Sequence, residues 1–505
     1  MNLKKNILAN YASQIYVTLI GIIMVPLYIK YMGAEAYGLV GFFAMLQAWF
    51  MLLDMGLTPT MARQTARFRG GATDALSYRR LVRALEGVFL IVALVGGTAM
   101  FAASRYIAQD WLQASHLPIV VVQTALQLMA IIIALRWMCG LYRGAISGSE
   151  RLVWLGGFNS ITATLRFVGV LPVLMFVGVT PTLFFGFQLV IAVLEFAGLL
   201  IYSYHLLPDI PHGQRLPWDW KPLKPVLKFS LTIAFTSSVW VIVTQTDKLV
   251  LSKILPLAEY GYFTLAVLVA SGIMIISGPV SAAIMPRMSK MEAEGDHAGL
   301  IRVYRQATQL VAVLAGSVAI TVAFCAEPLL WAWTGDKSLA HQAAPVLILY
   351  ALGNGILAVA AFPYYLQYAK GDLRLHLIGN AVFVVLLIPA IIWAANKYGG
   401  VGAGYVWFGM NFLSFVAWLP LVHRKFEPGL NLKWYGKDIL VIVIPLVIIG
   451  YGLSGVLQLN DNRWMQLSEI MLIGILVLLT GAAASSEIRA RVHSWLKSRQ
   501  QIQGR

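Results

Sequence analysis

Residues 8–67 begin with LANYASQIYVTLIGIIMVPLYIKYMG, continue with AEAYG, and end with LVGFFAMLQAWFMLLDMGLTPTMARQTAR, with a predicted polar turn at Gly33–Tyr37. Two mostly apolar stretches, each of more than twenty residues, therefore flank a short turn. Each stretch is long enough to cross a hydrocarbon core of ~30 Å as a helix that rises ~1.5 Å per residue. The segment predicts a membrane hairpin that carries one carboxylate, Asp54, in its second helix and a run of arginines after it.

The layout of this hairpin returns later in the chain. Residues 251–269, LSKILPLAEYGYFTLAVLV, repeat the turn, so that Tyr260 and Gly261 stand where Tyr37 and Gly38 stand in the first copy. Transporters are commonly built from membrane segments that are repeated within one chain.

The composition indicates that the whole chain is a membrane protein. Of its 505 residues, 59% are hydrophobic and only 12% are charged, and the mean hydropathy is +0.74. These values exclude a soluble globular protein of this length. Strand-like alternation of apolar and polar residues is absent, so the predicted class is an all-α polytopic membrane protein. Cys139 and Cys325 form no spaced pattern and predict neither a disulfide framework nor a metal site.

Fourteen apolar segments are long enough to be transmembrane helices. They are 8–30, 37–61, 84–103, 118–141, 153–177, 181–206, 229–251, 260–284, 307–327, 343–368, 376–394, 401–422, 438–457 and 467–485. The proline-rich segment between the sixth and seventh spans suggests a linker between two halves. The predicted organisation is an N-terminal six-helix lobe (1–207), a cytoplasmic linker (208–228), a C-terminal six-helix lobe (229–423), and two further helices with a basic cytoplasmic tail (424–505).

The basic residues are distributed unequally between the two sides of these spans. If the N-terminus is cytoplasmic, most of the 38 lysines and arginines fall in cytoplasmic segments. The exceptions are the outer residues Lys30, Arg105, Lys253, Lys337, Lys397 and Arg463 and the intramembrane residues Arg136, Arg166 and Lys248. This asymmetry predicts that both termini are cytoplasmic. The net charge of +16 therefore indicates contact with anionic membrane lipids and not with nucleic acid.

Sequence motifs for chemical catalysis are missing. The chain has no phosphate-binding G-x-x-x-x-G-K-[ST] loop, no histidine–carboxylate metal cluster and no nucleophile elbow. The outer loops, such as 104–117 and 328–342, are too short to hold a catalytic site. These observations predict a protein that moves a substrate and is not an enzyme, without a cofactor or a metal.

Charged residues inside the spans are the candidate functional residues, because an ionisable group at mid-membrane costs at least ~2.5 kcal/mol and normally faces a cavity or a partner. Arg166 lies near the middle of the fifth span and Glu195 near the middle of the sixth. For Arg166, a role in substrate binding or coupling and a structural ion pair are both open. Glu195 is the nearest candidate counter-charge.

Four other intramembrane charges have weaker indications of function. Asp247 and Lys248 approach the outer end of the seventh span and could be interfacial. Asp54 could carry a proton or an ion, but a cap for a helix break at Gly56 is favoured. Arg136 lies near the inner end of the fourth span, where its side chain could extend to the membrane surface.

Several motifs together resemble a known family. They are the first hairpin with LLDMGL and the arginine-rich loop after it, LRFVGVLPVL at 165–174, TQTDKLVLSKILPLAEYGYFTLA at 244–266, and ISGPVSAAIMPRMSK at 276–290. This pattern resembles the polysaccharide transporter family, the bacterial O-antigen-type flippases of lipid-linked oligosaccharides. That family belongs to the superfamily of multidrug, oligosaccharidyl-lipid and polysaccharide exporters. The likeness covers spans one to eight.

The resemblance implies two six-helix lobes and a flippase of the bacterial inner membrane. Such a protein moves undecaprenyl diphosphate-linked oligosaccharide from the inner to the outer leaflet by alternating access, for lipopolysaccharide and other surface polysaccharides. The resemblance implies that Arg166, Lys248 and Arg136 bind substrate. It implies that Asp54, Glu195 and Asp247 bind the coupling ion, a proton or Na⁺. Contacts with the polysaccharide polymerase and with chain-length proteins are further expectations.

Three alternatives remain open from the sequence. A multidrug or cation antiporter of the same superfamily would fit less well with two extra helices and the deep Arg166. A flippase for the peptidoglycan precursor also has fourteen helices, but a more basic cavity pattern is not evident here. A membrane polymerase or glycosyltransferase is disfavoured by the short outer loops.

Overall fold

The described part of the chain is helical almost throughout. The computed structural model describes residues 3–209, 219–455, 457, 461–490 and 493–494. Part of the predicted linker 208–228 and most of the basic tail therefore lie outside the described residues. The α-helices are α1 (Leu3–Met32), α2 (Ala34–Phe50), α3 (Leu57–Arg69), α4 (Ala75–Tyr106), α5 (Ile119–Gly148), α6 (Leu152–Phe167), α7 (Val170–Phe176), α8 (Pro181–Leu206), α9 (Lys224–Ile254), α10 (Leu257–Ala293), α11 (His297–Phe324), α12 (Ala326–Thr334), α13 (Lys337–Ala360), α14 (Phe362–Ala369), α15 (Arg374–Leu413), α16 (Leu419–Phe426), α17 (Leu430–Lys433), α18 (Val441–Ser454) and α19 (Arg463–Ala484), with short 3₁₀ or π turns at Met51–Asp54, Ile107–Trp111, Lys221–Leu223, Ser414–Trp418 and Trp434–Leu440.

The helices confirm the predicted all-α polytopic membrane fold. Twelve helical segments of the described residues are long and apolar enough to cross a membrane. The seventh predicted span lies on α9, where several side chains are outside the described residues. The eleventh and twelfth predicted spans both lie on α15, which breaks at Gly399 with φ 58° and ψ −141°. Within the described residues each of the fourteen predicted spans therefore lies mostly on helix, although the second is interrupted at Met55 and Gly56.

Polar side chains fix the starts of several helices. Asp74 accepts the backbone N–H of Ser77 at 2.9 Å at the start of α4, and this hydrogen bond holds the pKa of Asp74 below its ordinary value. Asp336 likewise accepts from the N–H of Leu339 at 3.0 Å at the start of α13. These caps satisfy N–H groups that have no partner inside the helix, so the loops stop the apolar helices at defined residues.

The chain forms two compact units, Met1–Gly261 and Tyr262–Arg505. In the first unit α5 is central and packs against α3, α4 and α8. Trp137 of α5 stacks on Phe89 of α4 with ring centroids 4.9 Å apart, and its indole N–H donates to the Phe89 carbonyl at 3.0 Å. α9 packs on α2 and α3 within this unit. The division into two six-helix lobes stays a prediction.

The two copies of the repeated segment pack against each other within the first unit. They were predicted to form a polar turn, but residues 34–38 belong to α2 and residues 257–261 to α10, because the chain already reverses at Gly33 with φ 84°. A Cβ on Gly38, in the first turn of α2, would lie 2.2 Å from the backbone oxygen of Leu257 at the start of α10. A Cβ on Gly261 would lie 2.6 Å from the backbone oxygen of Ala34. The backbone of each copy thus packs directly against the glycine of the other copy. A side chain at either glycine would push the two helix starts apart.

In the second unit α11 is central and packs against α13, α18 and α19. A buried polar network joins α11 to the two C-terminal spans. Arg305 of α11 donates from Nε and Nη2 to the two oxygens of Asp438 at 2.6 and 2.9 Å, and Gln309 donates to Asp438 at 2.8 Å. The hydroxyl of Ser485, just after α19, donates to Oε1 of Gln309 at 2.8 Å. The last two spans are therefore held to the second unit by hydrogen bonds as well as by apolar packing.

We expect Gly38→Ala and Gly261→Ala each to destabilise the protein by ~1–3 kcal/mol, because the new methyl group overpacks a backbone contact. The measurement is the apparent melting temperature of the purified protein. Gly157→Ala on α6 is the matched control, since a Cβ there meets no atom within 4 Å. Gly157→Ala is expected to leave the melting temperature unchanged or to raise it slightly, because alanine has a higher helix propensity than glycine. Equal melting temperatures for all three variants would refute the close packing.

We expect Arg305→Ala to cost ~3–5 kcal/mol, because it leaves the fully buried carboxylate of Asp438 without its counter-charge. Arg302→Ala, which removes an exposed arginine from the same turn of α11, is the control and should leave the melting temperature unchanged. Similar effects of the two substitutions would show that the Arg305–Asp438 pair does not hold α11 to the C-terminal spans.

Candidate functional site

A buried carboxylate of α8 lies between two arginines of α5. Glu195 accepts a hydrogen bond at Oε1 from Nη2 of Arg143, and its Oε2 lies 3.8 Å from Nε of Arg136. Arg136 and Arg143 are seven residues apart, which places them on one face of a helix with 3.6 residues per turn. Arg143 also donates from Nη1 to the side-chain oxygen of Asn159 on α6. The tight contacts of Glu195 are therefore with Arg143, whereas Arg136 is held more loosely.

A third arginine belongs to the same group. Arg166 lies in the last turn of α6, and its guanidinium lies over the ring of Phe167, 4.4 Å from the centroid. Its charge interacts with those of Glu195 and Arg143. Gln188 of α8 connects Arg166 to Arg136: its amide donates to the Arg166 carbonyl at 2.9 Å, and its Oε1 accepts from Nη2 of Arg136 at 3.3 Å. We call Arg136, Arg143, Arg166 and Glu195 the arginine cluster.

The arginine cluster has excess positive charge and hydrogen-bond donors that are not used. The cluster contains three guanidinium groups and one carboxylate, so two positive charges are left over. The Nε–H groups of Arg136 and Arg166 are shielded from solvent and have no hydrogen-bond partner among the described residues. Side-chain exposure is 11% for Arg136 and 31% for Arg143, so the cluster is accessible at one end. Unpaired guanidinium groups in a low-dielectric site attract anions, and their planar donors match carboxylate and phosphate oxygens.

The structure brings three of the six predicted site residues together, namely Arg136, Arg166 and Glu195. Arg136 was expected to extend toward the membrane surface, but it points to Glu195 and Gln188 instead. Arg143 was not predicted as a site residue, because the fourth predicted span ends at 141 and Arg143 falls in the loop predicted after it. α5 continues to Gly148, so Arg143 lies inside the helix. Its seven-residue spacing from Arg136 is a signal that could have identified it.

The predicted pair Asp247 and Lys248 interacts within its own helix. Nζ of Lys248 lies 3.6 Å from Oδ1 of Asp247 and donates to the carbonyl of Thr244 at 2.5 Å. Asp247 is buried, and Lys248 is 17% exposed at its side chain. The two charges compensate each other on α9. Their roles in substrate and ion binding stay predictions.

Asp54 lies at the break between α2 and α3. The chain turns through two left-handed residues, Met55 at φ 43° and Gly56 at φ 69°. The carboxylate of Asp54 accepts from the backbone N–H of Thr58 at 3.2 Å and from its hydroxyl at 2.6 Å. Ser230 of α9 donates to the Met55 carbonyl at 2.7 Å. These contacts match the capping alternative, while the ion-binding role of Asp54 stays a prediction.

A further intramembrane carboxylate was overlooked in the sequence. Glu86 of α4 accepts hydrogen bonds from the hydroxyls of Tyr142 on α5, at 3.3 Å, and of Tyr204 on α8, at 3.1 Å. It lies within the predicted third span, so its charge alone was a sufficient signal. The two phenol donors give Glu86 a structural role in joining α4, α5 and α8.

Comparison with protein families gives one match that covers more than half of the chain. Residues 3–292 match the family described as polysaccharide biosynthesis protein. A Shigella flexneri protein named "Putative O-antigen transporter" is 21% identical over 412 residues, which cover 81% of this chain and 94% of the relative.

Solved structures share the fold. The lipid II flippase MurJ in an inward closed conformation has a TM-score of 0.74 at 16% identity and covers 94% of this chain and 98% of its own. A multidrug resistance MATE family transporter of the MOP superfamily, in an inward-facing conformation, has a TM-score of 0.67 at 12% identity and covers 81% of this chain and 94% of its own. At these identities the similarity is one of fold.

We expect Asp54→Ala to destabilise the protein by ~0.5–2 kcal/mol, the usual cost of losing a helix cap. Asp54→Asn should cost less, because the amide oxygen can still accept from Thr58. Asp110→Ala, which removes an exposed carboxylate from the end of the same unit's α4 segment, is the control. Thermal unfolding of the three purified variants measures the difference. If Asp54→Asn lowers the melting temperature as much as Asp54→Ala, then the negative charge of Asp54 is required and the capping interpretation is wrong.

Proposed function

Since the chain belongs to the polysaccharide biosynthesis protein family, we propose that it is a flippase for a lipid diphosphate-linked oligosaccharide. The substrate is undecaprenyl diphosphate-linked glycan of the O-antigen type, and it moves from the inner to the outer leaflet of the bacterial inner membrane. The observation that carries this proposal is the arginine cluster. It offers two uncompensated positive charges and two unpaired guanidinium N–H groups to the two phosphate groups of such a lipid.

The physical problem of flipping explains why such a site is needed. The diphosphate and the sugars cannot cross hydrocarbon unaided, because each unpaired polar group there costs several kcal/mol. A polar site with excess positive charge replaces the hydration of the diphosphate while the polyprenyl tail stays among lipid tails. Arg136, Arg143 and Arg166 would make these contacts, with Lys248 as a further cationic residue on α9.

Transport in one direction needs two states with unequal affinities. We propose alternating access between an inward-open and an outward-open state, coupled to a proton or to Na⁺. Asp54, Glu195 and Asp247 are the carboxylates proposed to bind that ion; Glu195 is the weakest of the three candidates, because the excess positive charge of the arginine cluster disfavours a cation there. The distribution of lysine and arginine supports cytoplasmic termini and a location in the inner membrane. The polysaccharide polymerase and chain-length proteins are the proposed partners.

A multidrug or cation antiporter is the second candidate, favoured by the fold it shares with the MATE transporter. The charge of the arginine cluster argues against this candidate, because two excess positive charges repel an organic cation. A binding site for cations in this fold would need the opposite balance of charge.

The test uses a bacterial strain that lacks this chain, complemented with the wild type or with Arg143→Lys, Arg166→Ala and Arg166→Lys. Surface polysaccharide and the leaflet in which the lipid-linked glycan accumulates are measured. We expect the deletion to abolish surface glycan and to trap the lipid-linked glycan in the inner leaflet. Arg166→Ala and Arg143→Lys should lower delivery at least tenfold at normal protein level. Arg166→Lys should retain more activity than Arg166→Ala, because it keeps the charge.

Arg105→Ala is the matched control, because Arg105 is exposed at the end of α4 and away from the arginine cluster. It should leave delivery unchanged. Normal surface glycan in the deletion strain, without a second flippase, would overturn the proposed function. Efflux of organic cations that depends on this chain would then support the antiporter.

A further inference from the structure

We propose that Glu195 is an internal counter-anion: it occupies the arginine cluster in the absence of substrate and weakens the binding of the diphosphate enough to permit release. This inference rests on the proposed function, because it assumes that the arginines receive a diphosphate. It assigns Glu195 a role in setting substrate affinity that differs from ion coupling.

The position of Glu195 is the first argument. Its two oxygens face different arginines, Oε1 toward Nη2 of Arg143 and Oε2 toward Nε of Arg136. Guanidinium groups bind carboxylate and phosphate oxygens with the same donor geometry. The carboxylate therefore stands where a phosphate oxygen would bind both arginines.

The looseness of one of these contacts is the second argument. Nε of Arg136 lies 3.8 Å from the carboxylate and makes no hydrogen bond, and Nη2 reaches Gln188 at 3.3 Å. Nε of Arg166 also has no hydrogen-bond partner among the described residues. Glu195 thus neutralises part of the charge of the arginines but leaves donors open. An arriving phosphate meets Arg143 first, at the accessible end of the cluster, and competes with Glu195 for it before reaching the open donors of Arg136 and Arg166.

The charge balance is the third argument. A diphosphate that links a lipid to a sugar carries two negative charges, and the arginine cluster has two positive charges left over. Without Glu195, three arginines would face the diphosphate with no competing anion, and binding would be tighter. A transport site must bind its substrate strongly enough to take it up and weakly enough to release it. Glu195 supplies the repulsion that weakens binding.

A repulsive role of Glu195 and a purely structural role of Glu195 predict different changes in ligand affinity. The effect of removing the carboxylate charge scales with the charge of the ligand. It is therefore larger for undecaprenyl diphosphate than for undecaprenyl monophosphate. A carboxylate that only holds the arginines in place would instead lower affinity for both ligands when it is removed.

The experiment measures the dissociation constants of undecaprenyl diphosphate and undecaprenyl monophosphate for the purified full chain in lipid nanodiscs. Glu195→Gln keeps the shape of the side chain and an oxygen that accepts from Arg143. We expect it to bind the diphosphate about tenfold more tightly or better, since one charge at close range in a partly buried site is worth more than a factor of ten. The gain should be smaller for the monophosphate, and delivery of glycan to the cell surface should fall because release is slower.

Gln188→Glu is a second variant with the opposite expected sign. It adds a carboxylate beside Arg136 and retains the oxygen that accepts from Nη2, but it loses the amide that donates to the Arg166 carbonyl. The readout is therefore the difference between the two ligands and not the loss of affinity alone. It should weaken diphosphate binding about tenfold, and the monophosphate less. This variant keeps the proposal testable if Glu195→Gln fails to fold. Asp110→Asn is the matched control, because it removes the charge of an exposed carboxylate of the same unit, and it should leave both affinities unchanged.

The outcomes separate this inference from the function on which it rests. If the wild type binds the diphosphate but folded Glu195→Gln binds it equally or more weakly, the counter-anion role is overturned and the flippase proposal stands. Equal changes for diphosphate and monophosphate in Gln188→Glu would also overturn it. If the wild type does not bind the diphosphate at all, the proposed function fails, and this inference fails with it.

Discussion

The ion pair between Glu195 of α8 and Arg143 of α5 is the interaction on which the candidate site of the first unit depends. Three arginines lie among helices that are otherwise apolar, and each uncompensated charge in such surroundings costs several kcal/mol. One carboxylate reduces this cost without removing it. Gln188, Asn159 and the ring of Phe167 provide further contacts, so that the arginines keep defined positions. The remaining electrostatic cost is what an anionic ligand can relieve.

The surrounding helices hold this ion pair in place. α5 carries two of the arginines and is central to the first unit, where it packs against α3, α4 and α8. The indole of Trp137 ties α5 to α4, and the hydroxyls of Tyr142 and Tyr204 bring α5 and α8 to Glu86. A shift of either α5 or α8 would therefore break one or more of these hydrogen bonds. Such rigidity suits a site that must present its donors at fixed distances.

Fold and charge contribute different parts of the functional argument. The same fold serves the lipid II flippase and the MATE transporter, so the fold alone does not identify a substrate. The sign of the excess charge is more selective, because it favours an anionic headgroup over an organic cation. The family assignment is independent of this charge argument, and both are compatible with the lipid diphosphate-linked substrate that we propose.

The amino-acid sequence by itself determined the class of the fold, the fourteen helical spans and the family, because hydropathy and motif spacing are local properties. It also singled out Arg166, Glu195 and Arg136, since charges in apolar segments stand out. The tertiary structure decided which of these charges meet. Arg143 joined the cluster because α5 continues past the predicted end of its span, and Lys248 paired with Asp247 on its own helix. The partner of a side chain depends on which helix faces pack together, and residues far apart in the chain, such as Arg143 and Glu195, become neighbours only through that packing.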